Sequence, residues 1–266
     1  MGKQLVDEWS SGDAYEAYVG RWSRAVARQF VEWLGASRGR RWLDVGCGTG
    51  ALTAAIVDGV EPVEVVAVDA SPAYLGDARR RLGNPRIRFE VADATSLTMH
   101  SSFDVAVSGL VLNFLSDPGA AVAGMRRAVV SGGVVGAYVW DYAGRMELMR
   151  YFWDAACRLD ESARDLDEGV RFPLCRPERL TALWEEAGLS SVETTAIQVA
   201  TEFKDFNDYW EPFLGRQGPA PGYLMSRSEP QRLALREAVR ASLPVSTDGS
   251  ISLMARAWAV RGRSTS

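Results

Sequence analysis

Apolar positions along this chain fall into two rhythms that alternate. Tyr15, Tyr18, Trp22, Val26, Phe30 and Trp33 recur at helical spacing, with Arg21, Arg24 and Arg28 roughly opposite, so residues 13–35 read as an amphipathic helix. Asp13 is its N-cap candidate and Glu16 the capping-box partner. A short apolar strand over 41–45 then passes through glycines at 46, 48 and 50 into a helix over 51–57. Residues 63–68 form a buried strand closing on Asp69, and Ser71-Pro72 supplies an N-cap and a first-turn proline for a helix over 73–82. Strands over 86–91, 103–108 and 134–140 follow, with Asp117-Pro118 starting a helix to about 129 and Gly132-Gly133 turning the chain. Strands separated by helices, with no hairpin signals, predict a parallel sheet covered on both faces.

The rhythm loosens afterwards. Helices are expected over 146–160 and 177–187, a loop over 171–175, a strand over 192–199 and a closing strand over 251–260 after the turn pair Asp248-Gly249. Between them, 203–243 carries Phe206, Tyr209, Trp210, Phe213 and Tyr223 around a Gly/Pro-rich centre at 215–222. Connections usually have a median of about 4–6 residues, so the stretches 142–190 and 202–248 are expected to form a cap over an acceptor site. An aromatic-walled cavity suits a hydrophobic or aromatic small molecule; a small core or a dimer contact is the alternative use of the same rings. Residues 1–266 are read as a single domain, with 13–35 as a lid helix and 40–141 as a cofactor-binding core.

Composition narrows the partners. A net charge of -4 over 266 residues gives no global pull toward nucleic acid. Three cysteines, Cys47, Cys157 and Cys175, include no Cys-x-x-Cys pair, which argues against a disulfide framework or a zinc site and suits a reducing cytoplasm. No metal is expected. No run approaches the length of a membrane span and no export signal is evident. The one histidine, His100, sits in a loop and receives no role.

The glycines admit two readings. Gly46-x-Gly48-x-x-Ala51 followed by Asp69 satisfies a relaxed dinucleotide fingerprint. Asp44, two residues before the first glycine, is not required by a pyrophosphate and would set negative charge beside it. A cationic ligand suits it better.

Leu43-Asp44-Val45-Gly46-Cys47-Gly48-Thr49-Gly50 resembles the first motif of the class I S-adenosylmethionine-dependent methyltransferases. Val68-Asp69-Ala70-Ser71 resembles their second acidic motif, and Val91-Ala92-Asp93-Ala94 the adenine-contacting motif. Phe103-Asp104-Val105-Ala106-Val107-Ser108 and Ser131-Gly132-Gly133-Val134 resemble the fourth-strand motif and the turn before the fifth strand. The resemblance is to the broad bacterial group that includes ubiquinone/menaquinone-type and secondary-metabolite enzymes. It implies a Rossmann-like α/β fold with seven strands in the order 3-2-1-4-5-7-6, the last antiparallel. It also implies S-adenosylmethionine as cofactor, S-adenosylhomocysteine as product, and O- or N-methylation of a small molecule, with C-methylation possible. Asp69 would accept from the ribose hydroxyls and Asp93 from the adenine amino group. Gly46, Cys47, Gly48 and Gly50 would approach the tail and sugar, Asp44 would orient the loop or take the ammonium, and Ala70, Ala94 and Ser108 would line the site. Tyr18 or Arg24 would reach an anionic ligand group from the lid. Asn113, Asp141 and Tyr142, after the fourth and fifth strands, are candidates for orienting the acceptor or removing its proton. A monomer or homodimer fits. The rival functions are a nicotinamide-dependent oxidoreductase and a non-catalytic S-adenosylmethionine-binding module.

Overall fold

Val65, Val66, Ala67 and Val68 are each wholly buried, which requires a strand with neighbours on both edges and cover on both faces. The computed structural model, which describes residues 20–215 and 218–265, supplies both. Its elements run α1 (Arg21–Leu34), β1 (Arg41–Val45), α2 (Ala51–Val60), β2 (Glu64–Asp69), α3 (Pro72–Arg81), β3 (Ile87–Val91), β4 (Phe103–Gly109), α4 (Pro118–Ala128) and β5 (Val129–Trp140). Then come α5 (Glu147–Leu159), α6 (Pro177–Glu186), β6 (Ser190–Phe203), α7 (Phe206–Trp210), α8 (Pro219–Ser226), α9 (Glu229–Ser242) and β7 (Ile251–Arg263). The seven strands form one sheet in the order β3-β2-β1-β4-β5-β7-β6. Pairs β1–β2, β1–β4, β2–β3 and β4–β5 are parallel and β5–β7 is antiparallel, as the resemblance implies. The expected helix start at Asp13 and Glu16, and Tyr18, lie outside the described residues.

The chain divides into two compact units. The sheet unit comprises Ser23–Trp140, Leu174–Ile197 and the chain from Ala257. In it, Val26, Phe30 and Leu34 of α1 are buried while Arg24 and Arg28 are exposed. The Phe30 ring lies 4.7 Å from that of Tyr138, beside Gly136 in β5. A Cβ on Gly136 would come within 2.7 Å of the Leu34 side chain and 3.3 Å of the Val260 carbonyl oxygen. On α6, Trp184 donates its indole N–H to the Val135 carbonyl at 3.0 Å.

The helical unit comprises the described residues up to Trp22, Asp141–Pro173 and Gln198–Arg256. Its centre is aromatic: Phe152 stacks on Phe213 at 4.6 Å, Trp153 lies 5.5 Å from Tyr223, and the Tyr209 hydroxyl donates to the Leu148 carbonyl at 2.7 Å. Arg21 lies over the rings of Trp22 and Phe203 at 4.5 and 4.7 Å and pairs with Asp208 at 3.2 Å. Three of the five boundaries along the chain fall inside α1, β6 and β7, and the other two follow Trp140 and Pro173.

Local expectations shift in four places. The Gly132-Gly133 turn lies within β5, where the register moves from Phe103↔Val129 to Val105↔Val134; the extra residues bulge out, with Gly132 at φ 76. β6 reaches Phe203 rather than 199, because Ile197, Val199, Thr201 and Phe203 bury alternately. The expected loop over 171–175 is preceded by one helical turn, Glu168–Arg171, capped by Asp167, which accepts the Gly169 N–H at 2.8 Å. Part of the Gly/Pro-rich centre is the helix α8, because Pro219 occupies its first turn, where the missing N–H costs nothing. Gly136→Ala is expected to lower stability by about 1–3 kcal/mol through overpacking, read as a shifted urea midpoint with unchanged slope.

Candidate cofactor site

Four of the five residues of β1 are buried, and one of them is an acid. Asp44 has no exposed surface. Its Oδ2 accepts the Thr53 hydroxyl at 2.6 Å, and the carboxyl also takes the Thr53 backbone N–H in the first turn of α2. Its Oδ1 is buried with no hydrogen-bond partner. Burial, reinforced by repulsion from Asp69 and opposed by the Thr53 bonds, pushes its pKa up to about 7.

Above Asp44 the loop folds on itself. Gly46 and Cys47 donate their N–H groups to the Val68 carbonyl at 2.8 and 2.9 Å, Gly48 donates to Asp69 Oδ2 at 2.9 Å, and Gly50 donates to the Cys47 carbonyl at 2.9 Å. All three glycines have positive φ, at 74, 53 and 88. Their surroundings separate them. A Cβ on Gly46 would strike Val111 at 2.7 Å and one on Gly50 would strike Leu82 at 2.6 Å, whereas a Cβ on Gly48 would meet nothing within 4 Å. Gly48 is thus the open backbone of the loop. Cys47 is buried with Ala67 and Leu75, and burial pushes its thiol up.

Asp69 ends β2 half-buried, with Oδ2 on Gly48 and Oδ1 accepting Ser71 N–H at 2.8 Å, and Ala70 beside it is exposed. Each of its oxygens keeps further lone-pair capacity for a ligand hydroxyl. Asp93 is exposed and its Oδ1 accepts both the N–H and the hydroxyl of Thr95 at 2.8 Å, bonds that hold its carboxyl below the usual range. It caps the short turn that buries Ala94.

At the carboxyl end of β4, Ser108 Oγ is buried without a partner, Leu110 takes a left-handed φ of 62, and Asn113 Nδ2 is buried without a partner. Two buried polar atoms without partners thus flank a residue with a left-handed backbone. Asp141 is different. Its carboxylate accepts Gly144 N–H at 3.1 Å, Arg145 N–H at 2.8 Å and Arg256 Nε at 2.7 Å, so it holds the turn after β5 and anchors it to β7. Tyr142 is buried against Phe172, with ring centroids 5.5 Å apart. Arg24 is exposed on α1. Sequence reading passed over Glu168, wholly buried, with one oxygen bound by the Trp153 indole N–H and the other without a partner. Burial pushes its pKa up to about 8. Its exposed-looking setting in the sequence, Asp-Glu-Gly, carries no signal of this.

Residues 43–133 match a family model described as a methyltransferase domain. Over these residues, fewer than half of the chain, the protein is similar to a methyltransferase domain. The domain's relatives include the trans-aconitate 2-methyltransferase of Methylobacterium radiotolerans, 35% identical over 99 residues, which are 37% of this chain and 37% of that one. The malonyl-[acyl-carrier protein] O-methyltransferase of Acetivibrio thermocellus is 24% identical over 160 residues, 59% of this chain and 56% of that one. The chain thus spans 37% and 56% of the lengths of these two relatives. The solved YcgJ protein of Bacillus subtilis has the same fold, with a TM-score of 0.58 at 16% identity over 91% of this chain and 99% of its own. No helix among the described residues is long and apolar enough to cross a membrane.

The raised pKa of Asp44 has a sign. An acid that holds its proton to about pH 7 when folded, against about 3.9 unfolded, contributes stability that is full below pH ~4 and is lost as pH rises through 7. Asp44→Asn cannot ionise, so its stability relative to the parent is expected to improve by on the order of 1–4 kcal/mol between pH 4 and 7 and to level off above. Urea denaturation at successive pH values measures it, and a difference independent of pH would contradict the assignment.

Proposed function

We propose that this chain is an S-adenosylmethionine-dependent methyltransferase acting on a small-molecule acceptor, methylated on oxygen or nitrogen. The observation that carries the reading is the hydrogen-bond inventory of the glycine loop. A dinucleotide cradle offers free N–H groups and a helix N-terminus to a pyrophosphate. In this loop the N–H groups of Gly46, Cys47, Gly48 and Gly50 all have acceptors within the protein, and Asp44 already occupies the first turn of α2. What remains is open backbone at Gly48 beside the Asp69 carboxylate. That arrangement suits a sugar diol and a cationic tail and suits a diphosphate poorly.

The cofactor supplies a methyl carbon activated by its bond to a sulfonium sulfur. In the reading proposed, Asp69 accepts from the ribose hydroxyls, the outer oxygen of Asp93 accepts from the adenine amino group, and Asn113 Nδ2 donates to the acceptor and fixes its angle of approach. Alignment and exclusion of water supply several powers of ten in rate without a dedicated base. Asp141, tied to Arg256, serves as an anchor in this account. The aromatic-rich helical unit, whose described residues fall outside the matched 43–133, suits an apolar acceptor. The name of one relative, a trans-aconitate 2-methyltransferase, favours a small acceptor, while that of the other puts the acceptor group on a carrier protein.

Calorimetry with S-adenosylhomocysteine tests the reading: saturable binding is expected, with none for NADH, and the reverse would assign an oxidoreductase. Asp69→Ala is expected to weaken S-adenosylhomocysteine by about 1–3 kcal/mol; unchanged affinity would refute its role. Gly48→Ala, whose Cβ points into open space at φ 53, should cost about 1–2 kcal/mol of stability for its left-handed backbone and reduce binding at least tenfold. A labelled-methyl screen against cell extract separates an enzyme from a module that binds without turnover.

A further inference from the structure

Two hydrogen-bond donors stand unused where β4 and β5 end. These strands run parallel with Gly109 opposite Tyr138, and the Leu110 N–H continues the pairing to the Tyr138 carbonyl at 2.8 Å. The single turn that follows, Leu112–Phe114, packs against β5. Asn113 in that turn and Trp140, the last residue of β5, therefore belong to neighbouring strand ends. Asn113 Nδ2 and Trp140 Nε1 are both buried without a partner, and Trp140 as a whole is 2% exposed. An amide NH2 and an indole N–H only donate, and leaving them unbonded in the interior is costly. Ser108 Oγ, also unpartnered, donates or accepts and so selects nothing. A ligand group that satisfies the other two brings lone pairs.

The proton supplies the second constraint. Methylating an alcohol, a phenol or an ammonium group requires a proton to leave, and the carboxylate next to Trp140 in the chain is already occupied. Asp141 accepts from the Gly144 and Arg145 amides and from Arg256 Nε, and pairs with Arg256 Nη2 at 2.6 Å. An acceptor ionised before it binds needs no such base. We propose that the acceptor is a carboxylic acid, held as its carboxylate by Asn113 and Trp140 and released as its methyl ester. This rests on the methyltransferase reading above. One carboxylate oxygen forms a bond to the methyl carbon as the bond from that carbon to sulfur breaks, its electron pair staying on sulfur. Anion and sulfonium are neutralised together and no proton moves. The second carboxylate oxygen keeps its lone pairs for the two donors.

The test supplies the full chain with methyl-labelled S-adenosylmethionine and a small-molecule cell extract split by ion exchange into acidic, neutral and basic fractions. Label is expected to enter compounds of the acidic fraction, and mild alkali should release it as volatile methanol, because an ester hydrolyses where a methyl ether, amine or carbon centre does not. Label that alkali leaves in place would overturn the proposal while leaving methyl transfer intact. Failure to bind S-adenosylhomocysteine in calorimetry would instead remove the reading beneath it, and the proposal with it. A readout independent of turnover is the indole 15N–1H resonance of Trp140, assigned with Trp140→Phe. With S-adenosylhomocysteine bound, it should move downfield on adding the acidic fraction and stay in place with the basic one; a resonance indifferent to the acidic fraction would contradict the assignment. Asn113→Leu should raise KM for the labelled acid by roughly tenfold or more while S-adenosylhomocysteine affinity stays unchanged, and an unaltered KM would remove Asn113 from the account.

Discussion

A carboxyl group buried at the end of a strand must find hydrogen bonds inside the protein, and at Asp44 that requirement organises everything around the cofactor loop. Its donors come from Thr53, nine residues on, so the chain must leave β1, reverse and begin α2 within reach. Glycines allow that path, and the loop spends its own amides on Val68, Asp69 and Cys47 to hold the curve. The positive end of α2, which in a nucleotide cradle is left for a ligand phosphate, is taken by the protein's own acid. Burial makes that acid hard to ionise near neutral pH. At this loop the groups already bonded within the protein distinguish it from a nucleotide cradle more than the residues present do.

That distinction explains what could be read in advance. Alternating strands and helices, the Ser71-Pro72 and Asp117-Pro118 starts of α3 and α4, and the three glycines are local patterns, and they were legible. Which glycine is open was not, because Gly46 and Gly50 are closed by Val111 and Leu82, residues brought in from elsewhere in the chain. Asp141 looks in sequence like a free carboxylate after a strand. Its partner Arg256 is 115 residues away, and only the fold reveals that its lone pairs are used. Glu168 was invisible for the same reason. The position of β7 inside the sheet followed from family resemblance; hydropathy alone gives a strand without its neighbours.

The two units divide the chemistry by kind. In the sheet unit, three of the buried polar atoms left unbonded, Asp44 Oδ1, Ser108 Oγ and Asn113 Nδ2, gather at carboxyl ends of strands or just beyond. The helical unit is held mainly by rings on rings, and the Arg150–Asp167 and Arg256–Asp141 pairs and Glu168 are the main charged groups inside it among the described residues. Ring packing tolerates changes of shape better than a hydrogen-bonded loop does.

The strand β7 is the last of the sheet in sequence yet sits between β5 and β6. Until it arrives, β6 has no partner within the sheet, and its 14 residues present a bare row of amides and carbonyls. Pairing β5 with β7 joins segments more than a hundred residues apart in the chain. Such long-range closure is slow, and during that wait β6 is the stretch most open to pairing with a strand from another molecule.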